Sequence, residues 1–497
     1  MREPSEDAMA IDSRQPIPLY FQLKTLLLEE ILSGRYHDPG DRLPTEHELC
    51  ERYTISRTPV SRALSELADE GVILRHRRRG SFVNPHWLSR RPDQPEVRVV
   101  VPSEGPWGRM VRDAAGRSNQ ISVVKVPHDS LHRTLTHAVA EGQAPDLALL
   151  DTVWAPEFAA AGFIHTLEEL NEGWVRDEHE VDFLESLVRA NRYDGKTFGV
   201  SPFADAGGLW YRRRELESRS LEPPATWAEL RAIGRAIVET GLPGPIAMPG
   251  GSIAGETTAY CLIAFLASNG ARVLEPAGVT LSSRATAQVL RYLRSLLEEG
   301  IVPSEVVGYD WNQPIRSLAE GRAALSFGGV YEAQALAEAL GVDHHEIWDN
   351  FGFSRVPAGP QGSPASVAGG MMFAIFRQAA QPRLAMRLLE RAVEPEALAR
   401  VARSTGRIPS RRSAIELVVA EFPFFSQIAE ILEGSVARPW LPSYPRVSVQ
   451  LQTMLEAVLT GRLPPAAAAQ RTAEMIGAIT GLPLVQEPAA PAARAVA

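Results

Sequence analysis

Ser56, Arg57, Thr58, Ser61 and Arg62 bring short hydroxyls and two guanidinium groups together within one stretch of chain. Such side chains at the start of a helix can hydrogen-bond base edges in a major groove and the phosphates beside them. A second basic run, RHRRRG, follows from Arg75 to Gly80. A hairpin tip carrying Arg77, Arg78 and Arg79 can reach an adjacent phosphate or a minor groove. Residues 52–91 hold nine arginines against three acids, Glu66, Asp69 and Glu70, a net +6 in a chain whose total is −9. Positive charge focused on one segment of an acidic protein is the electrostatic footprint of a nucleic-acid-binding face.

The elements that must position these groups are legible. Residues 42–62, RLPTEHELCERYTISRTPVSR, read as a helix-turn-helix. Pro44 disfavours helix for the residue before it. Thr45 and Glu48 have the spacing of a capping box, which starts a short helix with Leu49 and Cys50 facing inward. Tyr53, Thr54 and Ile55 turn the chain. Ser56 or Thr58 can cap the second helix, and Pro59 is tolerable in its first turn. Val60, Ala63, Leu64 and Leu67 recur at helical spacing and define its buried face. Residues 71–83 then read as two short strands around the basic tip, and Leu19, Leu23, Leu27 and Ile31 mark a helix ahead of the motif.

Residues 16–84 thereby resemble the winged-helix DNA-binding domain of the GntR family of bacterial transcriptional regulators. The matching pieces are PLYFQ (18–22), GDRLP (40–44) with Glu46, Ser56-Arg57-Thr58 before Val60, Ala63-Leu64 with Leu67, Gly71, and GSFV (80–83). The resemblance implies operator contact by Ser56, Arg57, Thr58, Arg79 and Gly80, and Arg42, Thr45, Ser61, Arg62 and Arg77 are further candidate DNA contacts. Two chains pairing would let two such domains meet the two half-sites of a near-palindromic operator, so a homodimer on double-stranded DNA is expected. The chain has Ser61 where the family often has arginine, and Arg62 lies one place later, about 100° around the helix.

The length of 497 residues suggests about three domains. Hydrophobic residues at 45% and charged at 22% are ordinary for a globular protein. Cys50 and Cys261 lie on apolar helical faces and read as buried free thiols rather than a disulfide framework. The first fourteen residues are polar, with no apolar core of a signal peptide, and no run approaches a membrane span. A cytoplasmic protein without a membrane partner is expected. Residues 1–14 and 486–497 read as disordered tails, and 85–96 as a linker.

From residue 97 strands and helices alternate. Residues 97–102, 121–127 and 145–151 are apolar strand runs, with a helix at 130–141, which indicates a parallel sheet covered on both faces. Asp194-Gly195 signals a hairpin turn. FGVSPF and GLWY read as successive strands, and Thr226 with Glu229 caps a helix over 227–239. Helices at 257–269 and 283–299, strands at 320–329 and 367–376, helices to about 420 and a helical stretch over 446–480 complete the reading.

Residues 97–485 resemble the solute-binding proteins that deliver sugars to ABC importers. The order of signatures carries this: Pro145-Asp146 before Trp154, YDGKTFG (193–199), Pro202-Phe203 with Asp205, LWY (209–211), the PPATWAEL helix start, GRAAL (321–325) with Gly328-Gly329, VAGG (367–370), GRIP (406–409), and Arg438-Pro439-Trp440 with Tyr444. The resemblance implies two α/β lobes around a ligand cleft, with the chain crossing between them near 202–206, near Val367 and near residue 420. The expected fold class is therefore multidomain, a winged helix-turn-helix followed by a two-lobed periplasmic-binding-protein-like domain.

A sugar site needs rings to stack on and carboxylates, amides or guanidinium groups as hydrogen-bonding partners. The candidates are Asp151, Trp154, Phe203, Asp205, Trp311, Gly329, Tyr331, Gly370, Trp440 and Tyr444, the glycines admitting close backbone approach. Arg407 could bind an acidic sugar or cap a helix, and the cap is the preferred reading. Asp343-His344-His345-Glu346 reads as a polar loop rather than a metal site, because neighbours in a run seldom aim at one ion. Other GntR proteins carry a pyridoxal-phosphate domain, whose chemistry needs a Schiff-base lysine. This chain has only Lys24, Lys125 and Lys196, all poorly placed for it. The expectation is a non-enzymatic regulator with no cofactor, sensing a small solute, with a ligand-free protein-interaction scaffold as the alternative for the second part.

Overall fold

The computed structural model describes residues 19–32, 35–36, 41–69, 71–76, 79–84, 97–116 and 121–485. The expected tails, the 85–96 linker and Arg77 lie outside them.

The first elements form a winged helix. Helix α1 (Leu19–Leu32) packs on α3 (Arg57–Asp69), with α2 (Glu46–Tyr53) between them in sequence. Leu23, Leu27, Leu28 and Ile31 of α1 bury against Leu49 of α2 and Val60, Ala63, Leu64 and Leu67 of α3. The capping box forms as expected: the Glu48 N–H donates to Thr45 Oγ1 at 3.2 Å, and the Thr45 N–H to the Glu48 carboxylate at 2.6 Å. Thr54 turns the chain in the left-handed region, with φ 53°. The Glu30 carboxylate on α1 accepts from Arg52 at 2.7 Å and Tyr53 at 3.4 Å, tying α1 to the end of α2. Strands β1 (Ile73–His76) and β2 (Gly80–Val83) pair antiparallel, Ile73 opposite Val83 and His76 opposite Gly80. Cys50 is only partly buried, unlike the fully enclosed Cys261, and both are free thiols.

The chain forms two compact units. The first takes the described residues up to Leu150, with Gly162–His165 and Phe373–Ala392; the second takes Asp151–Ala161, Thr166–Met372 and the described residues from Val393. The expected crossing near Val367 falls close to the 372/373 boundary. The crossings expected at 202–206 and near 420 lie inside the second unit. The reason is the strand Phe203–Arg212, which pairs along its whole length with strands of that unit.

In the first unit, strands β3 (Val97–Pro102), β4 (Ile121–Val126) and β5 (Leu147–Asp151) form a parallel sheet with β3 central, and Met371–Ile375 lies beyond β5. The buried Asp146 carboxylate accepts the Arg98 N–H at 2.8 Å and the Gln381 N–H at 3.1 Å, which gives the Pro145-Asp146 signature a structural role.

In the second unit, a sheet runs in the order Phe351–Ser354, Phe203–Arg212, Leu325–Gly329, Ile246–Ala247. The start of the long strand is also flanked, Asp205 opposite Gly369 and Phe203 opposite Pro409. Alternation along it assigns the two faces. Leu209 and Tyr211 enter one apolar core with the helices Glu256–Ser268 and Tyr444–Leu459, whereas Ala204, Ala206 and Trp210 enter another. Gly207 is required on the first face, because an added Cβ would lie 2.7 Å from the Tyr260 ring. Asp205, two residues earlier, shares that face.

Several expected elements are redrawn. FGVSPF is no strand up to Phe203, since Pro202 has no N–H to give a ladder. The 367–376 run breaks at Gly370, whose φ is +125°. The 446–480 stretch is two helices, Tyr444–Leu459 and Pro465–Thr480, parted at Gly461 and Pro464. The Asp194-Gly195 turn forms as read, with φ 47° and 74° at its two residues.

Candidate functional site

Two constellations stand out, each within one unit. On the winged helix, Ser56, Arg57 and Thr58 are exposed at the start of α3, with Ser61 half-buried one turn on. The Arg57 Nε donates to Glu46 Oε2 at 2.8 Å, and Nη2 of Arg75 on β1 donates to Glu46 Oε1 at 2.7 Å. The Arg57 hydrogen bond, its partner's charge and Arg75 hold the Glu46 carboxyl below its ordinary range. Arg42 packs against the wing: a Cβ on Gly80 would lie 3.0 Å from its Nε. Arg79 is exposed at the wing turn. Arg62 is placed differently from the expectation, its guanidinium 3.6 Å from the Tyr20 ring and bonded to Glu66 at 3.2 Å. One contact is to α1 and the other to its own helix, and its side chain is 59% exposed. The Thr45 hydroxyl serves as the α2 cap.

In the second unit, charged groups converge in a buried setting. Asp151 ends β5 and caps the short 3-10 turn Thr152–Trp154, its carboxylate accepting the Val153 N–H at 3.1 Å. The Arg438 guanidinium reaches Asp151 at 3.4 Å, Thr152 Oγ1 at 3.1 Å and Glu256 at 2.9 Å, and lies 5.3 Å from the Tyr260 ring. Tyr444 donates to Glu256 at 2.8 Å, and Ser448 bonds its other oxygen. Thr152 anchors the turn by donating its N–H (3.1 Å) and hydroxyl (3.0 Å) to the Gly370 carbonyl. Gly370 is a close approach as well as a bend, since a Cβ there would lie 3.2 Å from Asp205 Oδ2.

Burial sets the electrostatics. It pushes the Asp205 carboxyl above its ordinary range; Arg407 opposes that, Asp151 adds to it, and Arg438 opposes it again. Burial likewise raises Glu256 against the pull of Arg438. Burial draws the Arg438 guanidinium down, but Asp151 and Glu256 outweigh it and leave the group firmly charged. Arg407 follows the left-handed cap Gly406; burial draws its guanidinium down and the Asp205 charge opposes that.

Among the expected ligand residues, Asp151, Asp205, Gly370 and Tyr444 meet in this network. Trp154 is half-buried on the capped turn. Phe203 and Tyr444 are closed off at 2% and 0% exposure, so their rings offer no stacking face here. Tyr331 follows Gly329 on a 3-10 turn and is half-buried. The Trp440 indole N–H donates to the Arg192 carbonyl, and Trp311 stands exposed before the helix Gln313–Ala319. The sequence singles out neither Glu256 nor Tyr260, and it shows Glu46 only within the GntR signature and Arg75 only within the basic run. Arg438 was seen only as part of a signature.

One negative expectation needs correction. Asp343, His344 and His345 do converge, with ligand-type atoms within 4.8 Å of one another. Asp343 accepts the His345 N–H at 3.0 Å, which folds the run back, and both rings stack toward Phe422. Packing and the turn account for this arrangement.

Comparison with known proteins agrees with both halves. Residues 116–399 match the model for bacterial extracellular solute-binding proteins. The chain belongs to that family. Residues 19–83 match the bacterial regulatory proteins of the gntR family, so this family member carries a GntR helix-turn-helix domain fused ahead of its solute-binding region. The probable ABC transporter-binding protein of Deinococcus radiodurans is 25% identical over 379 residues, 73% of this chain and 87% of that one. The transcriptional repressor NagR of Bacillus subtilis is 41% identical over 76 residues, 15% of this chain and 31% of that regulator, so the likeness is to its DNA-binding part. A Thermotoga lettingae solute-binding protein solved with α-D-tagatose superposes with TM-score 0.70 at 23% identity, covering 78% of this chain and all of that one. Maltose-bound MalE3 of T. maritima gives 0.68 at 22%, covering 77% and 100%. These solved structures establish the fold. Among the described residues, no helix is long and apolar enough to cross a membrane.

Proposed function

We propose that the protein is a cytoplasmic transcription regulator whose operator affinity is set by a small polyhydroxylated solute held by its solute-binding region. The observation that carries this reading is the union in one chain of a GntR domain with an exposed Ser56-Arg57-Thr58 face and a solute-binding domain with a buried charged cluster. Two chains acting as a homodimer would match two half-sites of a near-palindromic operator. Asp151, Asp205, Arg407 and Gly370 supply charged and backbone partners for ligand hydroxyls, and Trp154 a ring for an apolar C–H face. Trp311, Tyr331 and Trp440 are further ring candidates, and Arg438 holds Asp151 in place. Fold relatives solved with tagatose, ribitol and maltose support the choice of polyhydroxylated ligands. Neither matched family is enzymatic, which favours sensing over catalysis.

A thermal-shift screen of the full chain against sugars, sugar acids and polyols tests this. A ligand at about 100 times its dissociation constant should add ~2.7 kcal/mol of stability. No shift across the panel would favour the protein-interaction scaffold instead.

A further inference from the structure

Glu46 has no part in capping α2, since the capping box belongs to Thr45 and Glu48. Its carboxylate instead joins two elements that flank the proposed DNA face: one oxygen holds Arg57 at the start of α3, the other holds Arg75 on the wing strand. Arg57 is otherwise extended into solvent, 83% exposed, while Glu46 is 21% exposed. An ion pair between such exposed groups contributes little to stability. Its larger consequence is for recognition. An arginine already fixed at Nε has less rotamer freedom to lose on contact, and its terminal nitrogens remain for a base edge. A carboxylate set among the arginines also weakens the attraction for phosphates, which drives sequence-independent binding. Both effects act in one direction.

We propose that Glu46 is a positioning residue that couples the recognition helix to the wing and raises the ratio of specific to non-specific DNA binding. This rests on the operator-binding reading above.

The test uses the full-length protein. Duplexes enriched by the wild type from a random pool serve as specific probe, and a scrambled duplex of equal composition as the non-specific one. Affinities for both are measured by fluorescence anisotropy over a salt series. E46Q removes the charge and one of the two acceptor oxygens, so the side chain can no longer hold both arginines at once. E51Q makes the same charge change on the same helix, at a residue whose partner is the exposed His47. The expected result is that both variants bind the scrambled duplex more tightly, while E46Q alone lowers the specific-to-non-specific ratio by at least about fivefold, the lower end of one arginine base contact. An E46Q ratio within twofold of wild type, or equal to that of E51Q, overturns the proposal. Should E46Q fail to fold by circular dichroism, E46D, too short to hold both arginines, is judged by the same criterion. A wild type that enriches no sequence would overturn the operator reading and this proposal with it; a failure of E46Q alone leaves that reading intact.

Discussion

The winged-helix face and the buried cluster of the second unit both pair arginine with carboxylate, yet they do so under opposite solvent conditions. Arg57 is 83% exposed beside Glu46, whereas the Arg438 side chain is 5% exposed between Asp151 and Glu256. In water an ion pair is screened and contributes little to stability, and this one engages only Nε, so the terminal nitrogens of Arg57 can meet a phosphate or base. Out of water each charge must be matched, because a lone buried ion costs far more than the pair returns. The first arrangement suits a macromolecular partner that brings its own charges. The second suits a preorganised site for a small ligand.

Substitutions can break this contrast. The largest effect is expected for Arg438→Met, which strands Asp151 and Glu256; denaturant melts should show a loss of about 3–5 kcal/mol. Arg57→Ala should leave the melting transition unchanged and weaken binding to an enriched duplex by roughly 5- to 100-fold. Wild-type affinity in a gel shift would remove Arg57 from the interface. Gly370→Ala combines a left-handed φ with a Cβ 3.2 Å from Asp205 and should cost about 1–3 kcal/mol of stability, with loss of any sugar-induced thermal shift.

The last effect is a slope spread over several pH units. His179 is fully buried on a π-helical turn between Trp174 and Phe183, and neither ring nitrogen has a hydrogen-bond partner among the described residues. Burial, with Arg192 and Arg411 adding to it, lowers its pKa to about 3. The unfolded chain binds that proton from about pH 6.5 downward. His179 therefore leaves stability complete above pH 6.5 and takes it away as pH falls toward 3, at up to ~1.4 kcal/mol per pH unit. His179→Phe should flatten that part of the acid limb in denaturant titrations at stepped pH. An unchanged limb would mean that the ring is protonated in the fold.

The legible parts of the molecule are those fixed by neighbours in sequence. The Thr45–Glu48 box, the Asp194-Gly195 turn and the buried stripe of α3 depend on residues a few places apart. What escaped depends on distant ones. Glu46 meets partners 11 and 29 residues away, and Arg438 meets Glu256 and Asp151 across 182 and 287. Residue type alone also left aromatic roles open. Phe203 and Tyr444 have the chemistry of stacking rings, but the long strand and the Tyr444–Leu459 helix direct them into packing.

The central claim is that a solute held by the second half governs the DNA affinity of the first. The direct measurement is a fluorescence-anisotropy titration of the enriched duplex with the full chain, with and without a saturating concentration of the sugar or polyol that gives the largest thermal shift. A change in operator affinity of about 5- to 150-fold is expected, the usual range of coupling between two sites. Identical titrations with every ligand that measurably stabilises the protein would contradict the account.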